Sequence, residues 1–355
     1  MLARLYASLW REMISIITPI YNGSQYLEDC LASFARQDQE HCELVLVDDG
    51  STDDSLSICE RFSRGRDNVV VVHQENAGQF AAREAGIGQS RGEYLMFLDS
   101  DDALRPDAVS RVQSCFSAHP DVQCVCFRFS RGRQETYEEN DTVGLSLAGG
   151  VYEGELIREV RRALCEGDLN NLCNKAFRSD LVKEALSEVS SQTPVRHGED
   201  LYQLIPIARR MNSVELLEET LYFYRDNDSS TSRKVEKRQI EDLYTVFGYL
   251  RSVAALWGSE FELYTETGFN KHLYWCLYGT IASRMKKDVR DEIVIAASAA
   301  QRAFHDDSHG YTEVLRLLRL DQRLPMLALS KGRYCLCKAE LSFGYGSAQL
   351  LSRIK

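Results

Sequence analysis

Proline, net positive charge and long apolar stretches are all scarce in this sequence. Only six of its 355 residues are proline and 44% are hydrophobic, which is typical of a folded protein and unlike a disordered or collagen-like chain. The net charge of −11 argues against a nucleic-acid-binding protein, because such proteins need a basic surface. No apolar run approaches the roughly 20 residues that a membrane-spanning helix requires. The length allows one large domain with an appendage, or two domains.

The cysteines argue against a secreted, disulfide-stapled protein. There are eleven, an odd number without paired spacing. Two C-x-C pairs, Cys124/Cys126 and Cys335/Cys337, lack a companion pair or nearby histidine, so buried thiols are favoured over a zinc site. Residues 1–12 lack the apolar core and cleavage site of a signal peptide. We therefore expect a cytoplasmic protein, with association to the inner face of the cell membrane left open.

Charge is distributed unevenly along the chain. Residues 1–230 carry 23 basic and 39 acidic side chains, a net charge of −16, whereas residues 231–355 carry 19 and 14, a net charge of +5. A polar break at 226–232 separates the two parts and is a plausible domain boundary. The predicted regions are a helical extension over 1–12, an α/β domain over 13–228 and a helical region over 229–355.

Short apolar segments alternate with helical patterns in the first hundred residues. The predicted strands are 14–18 (stopped by Pro19), 43–47, 68–73 and 94–98, with helices at 26–37, from a cap at Ser51, and at 79–90. This alternation predicts βαβ units, and hence an α/β fold with a parallel sheet. Ligands of such sheets bind beyond the carboxyl ends of the strands. Further elements are predicted at 122–129, 174–178, 199–211 and 221–225, and helices at 239–256, 269–286, 293–304 and 311–320.

Polar clusters follow three of these strands directly. They are Tyr21-Asn22, Asp48-Asp49 and Asp99-Ser100-Asp101-Asp102. Carboxylates packed this closely repel one another unless a cation intervenes, and Mg²⁺ or Mn²⁺ is commonly held by few carboxylates together with substrate phosphates. A metal–diphosphate ligand therefore explains the clusters, although a lone D-x-D-D is also common as a charged turn before a helix.

Two nucleotide-binding motifs are absent. Gly86-Ile87-Gly88 resembles the start of G-x-G-x-x-G, but Arg91 stands in place of the third glycine and the segment precedes a strand. No G-x-x-x-x-G-K-[ST] occurs either. These features argue against a dinucleotide-binding domain and a P-loop nucleotidase.

The ordered motifs over roughly residues 13–225 resemble those of a family 2 glycosyltransferase of the GT-A fold. Asn174-Lys175 is similar to the central NK motif of that family, and Gly198-Glu199-Asp200 to its acidic ED motif. The chain after Arg225 matches no family that we can name. The remaining motifs are Pro19-Ile20-Tyr21-Asn22, Val47-Asp48-Asp49-Gly50-Ser51-Thr52-Asp53, Asn76-Ala77-Gly78 with Ala82-Arg83, and Asp99-Ser100-Asp101-Asp102.

The resemblance implies a nucleotide-sugar site, with a UDP-sugar favoured. Pro19 would belong to this nucleotide-sugar site, and Tyr21 would stack on the base. Asp49 would accept a hydrogen bond from the base, and Arg83 would face the base or the phosphates. Asp99 would contact the ribose. The open alternatives are a packing aromatic at Tyr21 and a helix-surface charge at Arg83.

The resemblance also implies metal-dependent chemistry with inversion at the anomeric carbon. Asp101, helped by Asp99, would hold Mn²⁺ or Mg²⁺ against the diphosphate, with Asp102 as a weaker candidate ligand. Asp200 would be the general base that removes the acceptor's proton. Glu199 is the rival for that role, and a simple helix-start charge is the alternative for Asp200.

Three weaker site candidates complete the prediction. Lys175 and Arg225 would contact phosphate, and His197 would touch the acceptor unless it is an ordinary loop histidine. The expected acceptor is a glycan or lipid-linked glycan, in the assembly of a surface polysaccharide or glycolipid. A catalytically inactive scaffold that binds a nucleotide-sugar and a nucleotidyltransferase are the alternative functions.

The basic C-terminal region has its own predicted role. Val314, Leu317 and Leu318 share a helical stripe beside Arg316 and Arg319, which favours contact with a membrane surface or a membrane-bound partner. The alternative is that these helices pack on the catalytic body or on a second subunit in a homodimer.

Overall fold

The structure is a computed structural model that describes residues 12–138, 142–143, 145–189, 195–227, 237–282, 287–304 and 311–331. Apart from Glu12, the predicted N-terminal extension lies outside these residues, as do Cys335 and Cys337. The described chain forms two compact units. The first holds residues 12–160, 170–189 and 199–227, and the second holds 161–169, 195–198 and the residues after 236.

The strands all belong to one sheet of the first unit. They are β1 (Ile14–Ile20), β2 (Cys42–Asp49), β3 (Val69–Gln74), β4 (Tyr94–Phe97), β5 (Ala103–Leu104), β6 (Cys124–Gly132), β7 (Thr142–Val143), β8 (Gly150–Glu153), β9 (Lys175–Arg178) and β10 (Ser213–Arg225).

The helices of the first unit are α1 (Ser24–Ala35), α2 (Ser55–Ser63), α3 (Gln79–Gln89), α4 (Ala108–Ala118), α5 (Ile157–Cys165), α6 (Ser179–Leu186) and α7 (Glu199–Arg210), with α5 crossing into the second unit. A short 3₁₀ helix (Gly154–Leu156) precedes α5. Those of the second unit are α8 (Lys237–Ala254), α9 (Ser259–Ala282), α10 (Lys287–Phe304), α11 (Tyr311–Leu317) and α12 (Leu320–Ser330).

The sheet is mixed rather than wholly parallel. Its order is β3-β2-β1-β4-β9-β6-β10-β5, with β7 on β6 and β8 on β10. The first four strands are parallel, as the βαβ pattern predicts. The strand β9 inserts antiparallel between β4 and β6, which the sequence pattern did not reveal. The α/β class is therefore correct, and the expectation of a parallel sheet holds for the first four strands and for the β6–β10 pair, but not for β5, β7, β8 or β9.

The central strand β1 runs through Pro19 instead of stopping before it. Its odd-numbered residues face β4, because Ile17 O accepts the backbone N–H of Leu98. The pairing with β4 ends at this point, so the missing N–H of Pro19 breaks no ladder hydrogen bond. A proline is thereby tolerated in a strand that is buried along its whole length.

Helices cover both faces of the sheet. On one face, α1, α2 and α4 contribute to a continuous apolar core that includes Phe34 and Phe116. On the other face, α3 lies directly on β1. A Cβ atom at Gly86 would come within 2.4 Å of Ile17 Cγ2, so this glycine serves close helix–strand packing and not a dinucleotide loop.

The helix after β2 starts later than predicted. It begins at Ser55, and the Ser51 hydroxyl accepts the Asn22 N–H instead of capping the helix. Three helices of the first unit, α4, α5 and α6, were not predicted.

The second unit contains only helices among its described residues. The long helix α9 packs against α8, α10, α11 and α12, and its buried Phe269 meets Phe247 of α8 edge-to-face. It begins ten residues earlier than predicted, and α12, apart from its first residue, was not predicted. None of the described helices is long and apolar enough to cross a membrane.

Candidate active site

The carboxyl ends of three parallel neighbours, β2, β1 and β4, meet at one edge of the sheet. The register pairs Ile20 with Asp48 and Ile17 with Phe97, so the residues that follow these strands are brought together as predicted. Tyr21 stands there with 54% of its surface exposed. The alternative of a packing aromatic at Tyr21 is therefore wrong, and its ring is available to a ligand.

The loops after β1 and β2 are fastened to each other. Asn22 adopts a positive φ of 51°, its N–H donates to Ser51 Oγ at 3.0 Å, and its Oδ1 accepts the Thr52 N–H at 2.8 Å. Gly50 also has a positive φ, and a Cβ there would lie 2.8 Å from the backbone N of Asn76. The D-D-G-S-T segment thus requires glycine and fixes the loop that carries Tyr21.

Asp49 organises the turn that leads into α3. Its Oδ1 accepts hydrogen bonds from Gln74 Nε2 at 2.7 Å and from the Ala77 N–H at 2.9 Å, and its Oδ2 accepts the Gly78 N–H at 2.8 Å. A carboxylate offers about four acceptor positions, and donors among the described residues use three of them. The hydrogen bond that Asp49 would accept from a nucleotide base stays a prediction, with one acceptor position left for it by the described donors.

Arg83 is a buried guanidinium between two candidate site residues. It is 0% exposed, its NH1 donates to Asp200 Oδ1 at 2.6 Å, and its NH2 donates to Asp99 Oδ1 at 3.3 Å. The same NH1 donates to Gln203 Oε1 at 3.0 Å. The helix-surface alternative is therefore wrong. The expected contact with base or phosphates is corrected too, because the guanidinium faces carboxylates inside the protein.

This pairing joins three elements, α3, the end of β4 and α7. Burial alone would lower the pKa of Arg83, but the carboxylates of Asp200 and Asp99 outweigh it and raise the pKa. Burial raises the pKa of Asp99 to about 6, with Arg83 opposing the shift and Asp200 adding to it. The ionisation of Asp99 therefore depends on the charges of both Arg83 and Asp200.

The two remaining aspartates of the D-x-D-D segment differ in role. Asp102 is buried, and its oxygens accept hydrogen bonds from Tyr222 OH at 2.6 Å and from the Arg225 N–H at 2.8 Å. Asp101 is partly exposed, and among the described residues its one side-chain donor is Asn227, which binds Oδ2. Asp102 therefore fastens β10 to the segment, whereas Asp101 keeps one oxygen that no side chain of the described residues occupies.

Arg225 lies beside the D-x-D-D segment, with its side chain only 10% exposed. Its Nε donates to the Asp101 carbonyl at 2.8 Å, and its NH2 donates to Asp29 Oδ2 at 3.2 Å. The guanidinium also lies 5.0 Å from the Tyr26 ring centroid. Phosphate contact by Arg225 stays a prediction, since the contacts seen here support the loop.

Lys175 is placed where it cannot serve as predicted. It lies in the inserted strand β9, it is 2% exposed, and its ammonium donates to Asn171 O and Asn174 Oδ1. Asn174 in turn donates to Phe127 O at 3.0 Å. Phosphate contact by Lys175 is therefore wrong for this structure. The NK pair anchors β9 to its neighbour β6.

The acidic pair opens helix α7. Asp200 receives Arg83 on Oδ1 and the Leu172 N–H on Oδ2 at 3.2 Å, and its side chain is 25% exposed. Burial, followed by repulsion from Asp200, raises the pKa of Glu199 to about 7. His197 belongs to the second unit, where its N–H donates to Asp242 Oδ2 at 3.1 Å.

The structure adds residues that the sequence reasoning missed. Gln79 Nε2 donates to Asp99 Oδ1 at 2.9 Å, and Gln203 accepts from Arg83. Gln203 is three residues after Asp200, so both lie on one face of α7, and that spacing was a usable signal. Tyr222 and Asn227 come from β10 and the residues beyond it, and no sequence signal linked them to the site.

The donor set at this edge suits a hard divalent cation shared with a ligand. Within the described residues, no three His, Cys, Asp or Glu side chains form a group that could hold a metal. Asp99 Oδ2 and Asp101 Oδ1 have no side-chain donor there, and burial raises the pKa of both carboxyls. Mg²⁺ is typically bound through one or two carboxylates plus substrate phosphates, so these residues fit such an ion.

A model of glycosyl transferase family 2 matches residues 15–183 of the chain. The chain contains a family 2 glycosyltransferase domain. The resemblance drawn from the motifs is thereby confirmed, and so is the predicted enzyme class for this domain.

Two relatives and one solved structure show how far the similarity extends. Bacillus subtilis (strain 168) EpsH, a putative glycosyltransferase, is 28% identical over 229 residues, 64% of this chain and 65% of EpsH. The minor teichoic acid biosynthesis protein GgaA of that strain is 40% identical over 118 residues, 31% of this chain and 26% of GgaA. The chain therefore spans less than two thirds of either relative.

The fold is shared with S. aureus TarS. Its 1–349 fragment, in a crystal structure with UDP-GlcNAc, matches with a TM-score of 0.70 and 17% identity over 94% of this chain and 92% of that one. This likeness confirms the predicted GT-A fold with a helical C-terminal region.

Proposed function

We propose that this protein is a metal-dependent, inverting glycosyltransferase that moves a sugar from a UDP-sugar to a hydroxyl of a glycan or lipid-linked glycan. The observation that carries the proposal is the Arg83 bridge, which ties Asp99 at the end of β4 to Asp200 at the start of α7. The bridge joins a residue predicted to bind the donor nucleotide-sugar to the residue predicted to take the proton of the acceptor hydroxyl.

The relatives support the substrate classes. The TarS structure contains UDP-GlcNAc, which favours a UDP-sugar as donor here. GgaA is named for teichoic acid biosynthesis, which favours a surface polymer, polysaccharide or teichoic acid, as the product. We place the reaction in the cytoplasm, where nucleotide-sugars are made available.

The donor would lie along the strand ends. Tyr21 offers an exposed ring for base stacking, and Asp49 has an acceptor position for the base. Asp99 and Asp101 would hold Mg²⁺ or Mn²⁺, which when bound neutralises the charge on the diphosphate leaving group. Asp99 Oδ2 is also the oxygen that would accept a ribose hydroxyl.

The transfer step is a single displacement. A carboxylate oxygen of Asp200 takes the proton of the acceptor hydroxyl, the acceptor oxygen bonds to the anomeric carbon, and the bond from that carbon to the diphosphate breaks. The nucleoside diphosphate leaves, and an α-linked donor gives a β-glycoside. Arg83 and the Leu172 N–H occupy one position on each Asp200 oxygen, so both oxygens retain an acceptor position.

The test compares two neighbouring substitutions at the start of α7. Asp200→Asn keeps the side-chain shape and can still accept from Arg83, but it cannot take the proton. We expect sugar transfer to fall about 10²–10⁴-fold with UDP affinity nearly unchanged. Glu199→Gln is the matched control and should retain transfer. The assay is nucleotide release from UDP-, GDP- and dTDP-sugars with a lipid-linked acceptor extract, beside calorimetric UDP binding.

The outcomes separate the alternatives. If Glu199→Gln abolishes transfer and Asp200→Asn does not, then Glu199 is the general base and the single-displacement mechanism is unchanged. Unchanged transfer in both would exclude a carboxylate base at this helix. UDP binding without release from any donor in the wild-type protein would favour the inactive scaffold.

A further inference from the structure

The corner between α11 and α12 presents an exposed apolar and basic surface. We define the corner patch as Trp275, Arg316, Leu317, Arg319 and Leu324, all exposed side chains of the second unit. Trp275, Leu317 and Leu324 expose 51%, 37% and 56% of their surface. Large apolar side chains grouped with arginines on a surface mark an interaction site more often than isolated exposed residues do.

The patch differs from the stripe predicted from the sequence. Val314 and Leu318 are buried, so they form the inner face of α11, and only Leu317 of that stripe reaches the surface. Arg323 closes the end of α11, donating from Nε to Leu318 O and from NH2 to Arg316 O, each at 2.7 Å. Hydrogen bonds from Arg323 therefore hold the corner together, while Arg316 and Arg319 are exposed.

Contacts between helices make the patch one surface. The Arg319 guanidinium lies 5.8 Å from the Trp275 ring centroid, which joins the corner to α9. Arg319 also pairs with Asp321 at 2.7 Å. Leu324 is three residues after Asp321 on the same exposed face of α12, so it neighbours this pair.

The charge of the corner favours an anionic partner. Residues 311–331 carry four basic and two acidic side chains, a net charge of +2, and one of the two acids is already paired with Arg319. Residues 231–355 as a whole carry +5 against −16 for the rest of the chain. Tryptophan, leucine and arginine together are typical of proteins that lie at the interface of an anionic bilayer.

We propose that the corner patch binds an anionic lipid surface. No described helix could span the bilayer, so the contact would be interfacial, with the Trp275 ring at headgroup level and the arginines on lipid phosphates. Each arginine near such a surface contributes roughly a fivefold increase in partitioning. Binding is therefore weak, reversible and sensitive to salt.

The test is sedimentation of the whole protein with sucrose-loaded vesicles. The protein should sediment with vesicles of phosphatidylglycerol and phosphatidylcholine at low salt. It should not sediment with vesicles of pure phosphatidylcholine. Arg316→Gln should reduce partitioning about fivefold. Trp275→Ala should reduce it at least as much. Circular dichroism checks folding, and the Arg316 side chain is exposed, so its replacement leaves the core intact.

Leu256→Ser is the matched control. Leu256 is 66% exposed, but it precedes the first residue of α9, whereas Trp275 lies 16 residues into that helix, about 24 Å away along its axis. It should partition like the wild type. No sedimentation with anionic vesicles at low salt would overturn the proposal. So would equal losses in all three variants, or a dimer in solution that Arg316→Gln dissociates.

Discussion

Replacing Arg83 by methionine tests the buried ion pairs on which the site is built. The guanidinium is fully buried and lies 2.6 Å from Asp200 and 3.3 Å from Asp99. Methionine keeps an apolar stem of similar length but removes the charge, which leaves two carboxylates unpaired at the sheet edge. Removing one partner of a buried pair costs about 3–5 kcal/mol, against a total stability of about 5–15 kcal/mol for a typical protein. We expect a loss of that size.

The measurement is urea unfolding followed by circular dichroism. Arg61→Met is the matched control, because Arg61 pairs with Glu28 at a similar distance of 2.7 Å but the two side chains are 60% and 70% exposed. Exposed pairs contribute roughly 0–1 kcal/mol, so the control should stay close to the wild type. A loss below about 1 kcal/mol for Arg83→Met would refute the reasoning, since two partly buried carboxylates that lose their charged partner cost more than that.

The double variant Arg83→Met/Asp200→Asn measures the interaction energy between Arg83 and Asp200. Asparagine removes one of the two carboxylates that Arg83→Met leaves unpaired, so the double loss should be smaller than the sum of the single losses. Groups in direct contact usually show coupling of about 0.5–3 kcal/mol. Additive losses would mean that Arg83 and Asp200 do not interact in solution.

Three further predictions concern other carboxylates. Asp101→Asn should weaken UDP binding in the presence of Mn²⁺ and leave binding in a chelator unchanged; equal effects would argue against a bridging ion. Glu43→Gln, at the buried contact with Ser15 and Arg91, should cost about 1.5–3 kcal/mol in urea unfolding without changing UDP affinity. Burial opposes ionisation of Asp53, but hydrogen bonds from Ser55 and Ser24 outweigh it and lower its pKa to about 2. Its ionised form therefore stabilises the fold above about pH 4, and the stability advantage of wild type over Asp53→Asn should shrink as pH falls toward about 2.

The strand ends of the site could be predicted because they depend on local sequence. An apolar β-branched run followed at once by acidic residues fixes where a parallel strand stops, and parallel neighbours stop at one edge. Asp49, Asp99 and Asp101 were assigned to that edge on these grounds, and they lie there. The helices α4, α5 and α6 and the short strands β5 and β8 were among the elements that escaped the prediction.

The partners of the buried charges could be predicted only in part. Phe80, Arg83 and Ile87 have helical spacing on one face of α3, and both apolar residues are buried, so the burial of Arg83 had a signal that was not used. Lys175 had none. Its burial follows from the antiparallel insertion of β9 between β4 and β6, and a four-residue strand does not encode its neighbours.

Four carboxylates on or next to the sheet separate into two groups by how their oxygens are satisfied. Both oxygens of Glu43 accept hydrogen bonds, one from Ser15 and one from Arg91. Both oxygens of Asp102 likewise accept hydrogen bonds, from Tyr222 and from the Arg225 N–H. These two carboxylates therefore stabilise the fold. Asp99 and Asp101 each keep one oxygen without a side-chain donor among the described residues. Both side chains are partly exposed, and a partly buried charge with an open acceptor is more stable when a ligand completes it. The open oxygens therefore support the proposal that Asp99 and Asp101 hold a cation together with the nucleotide-sugar bound to it.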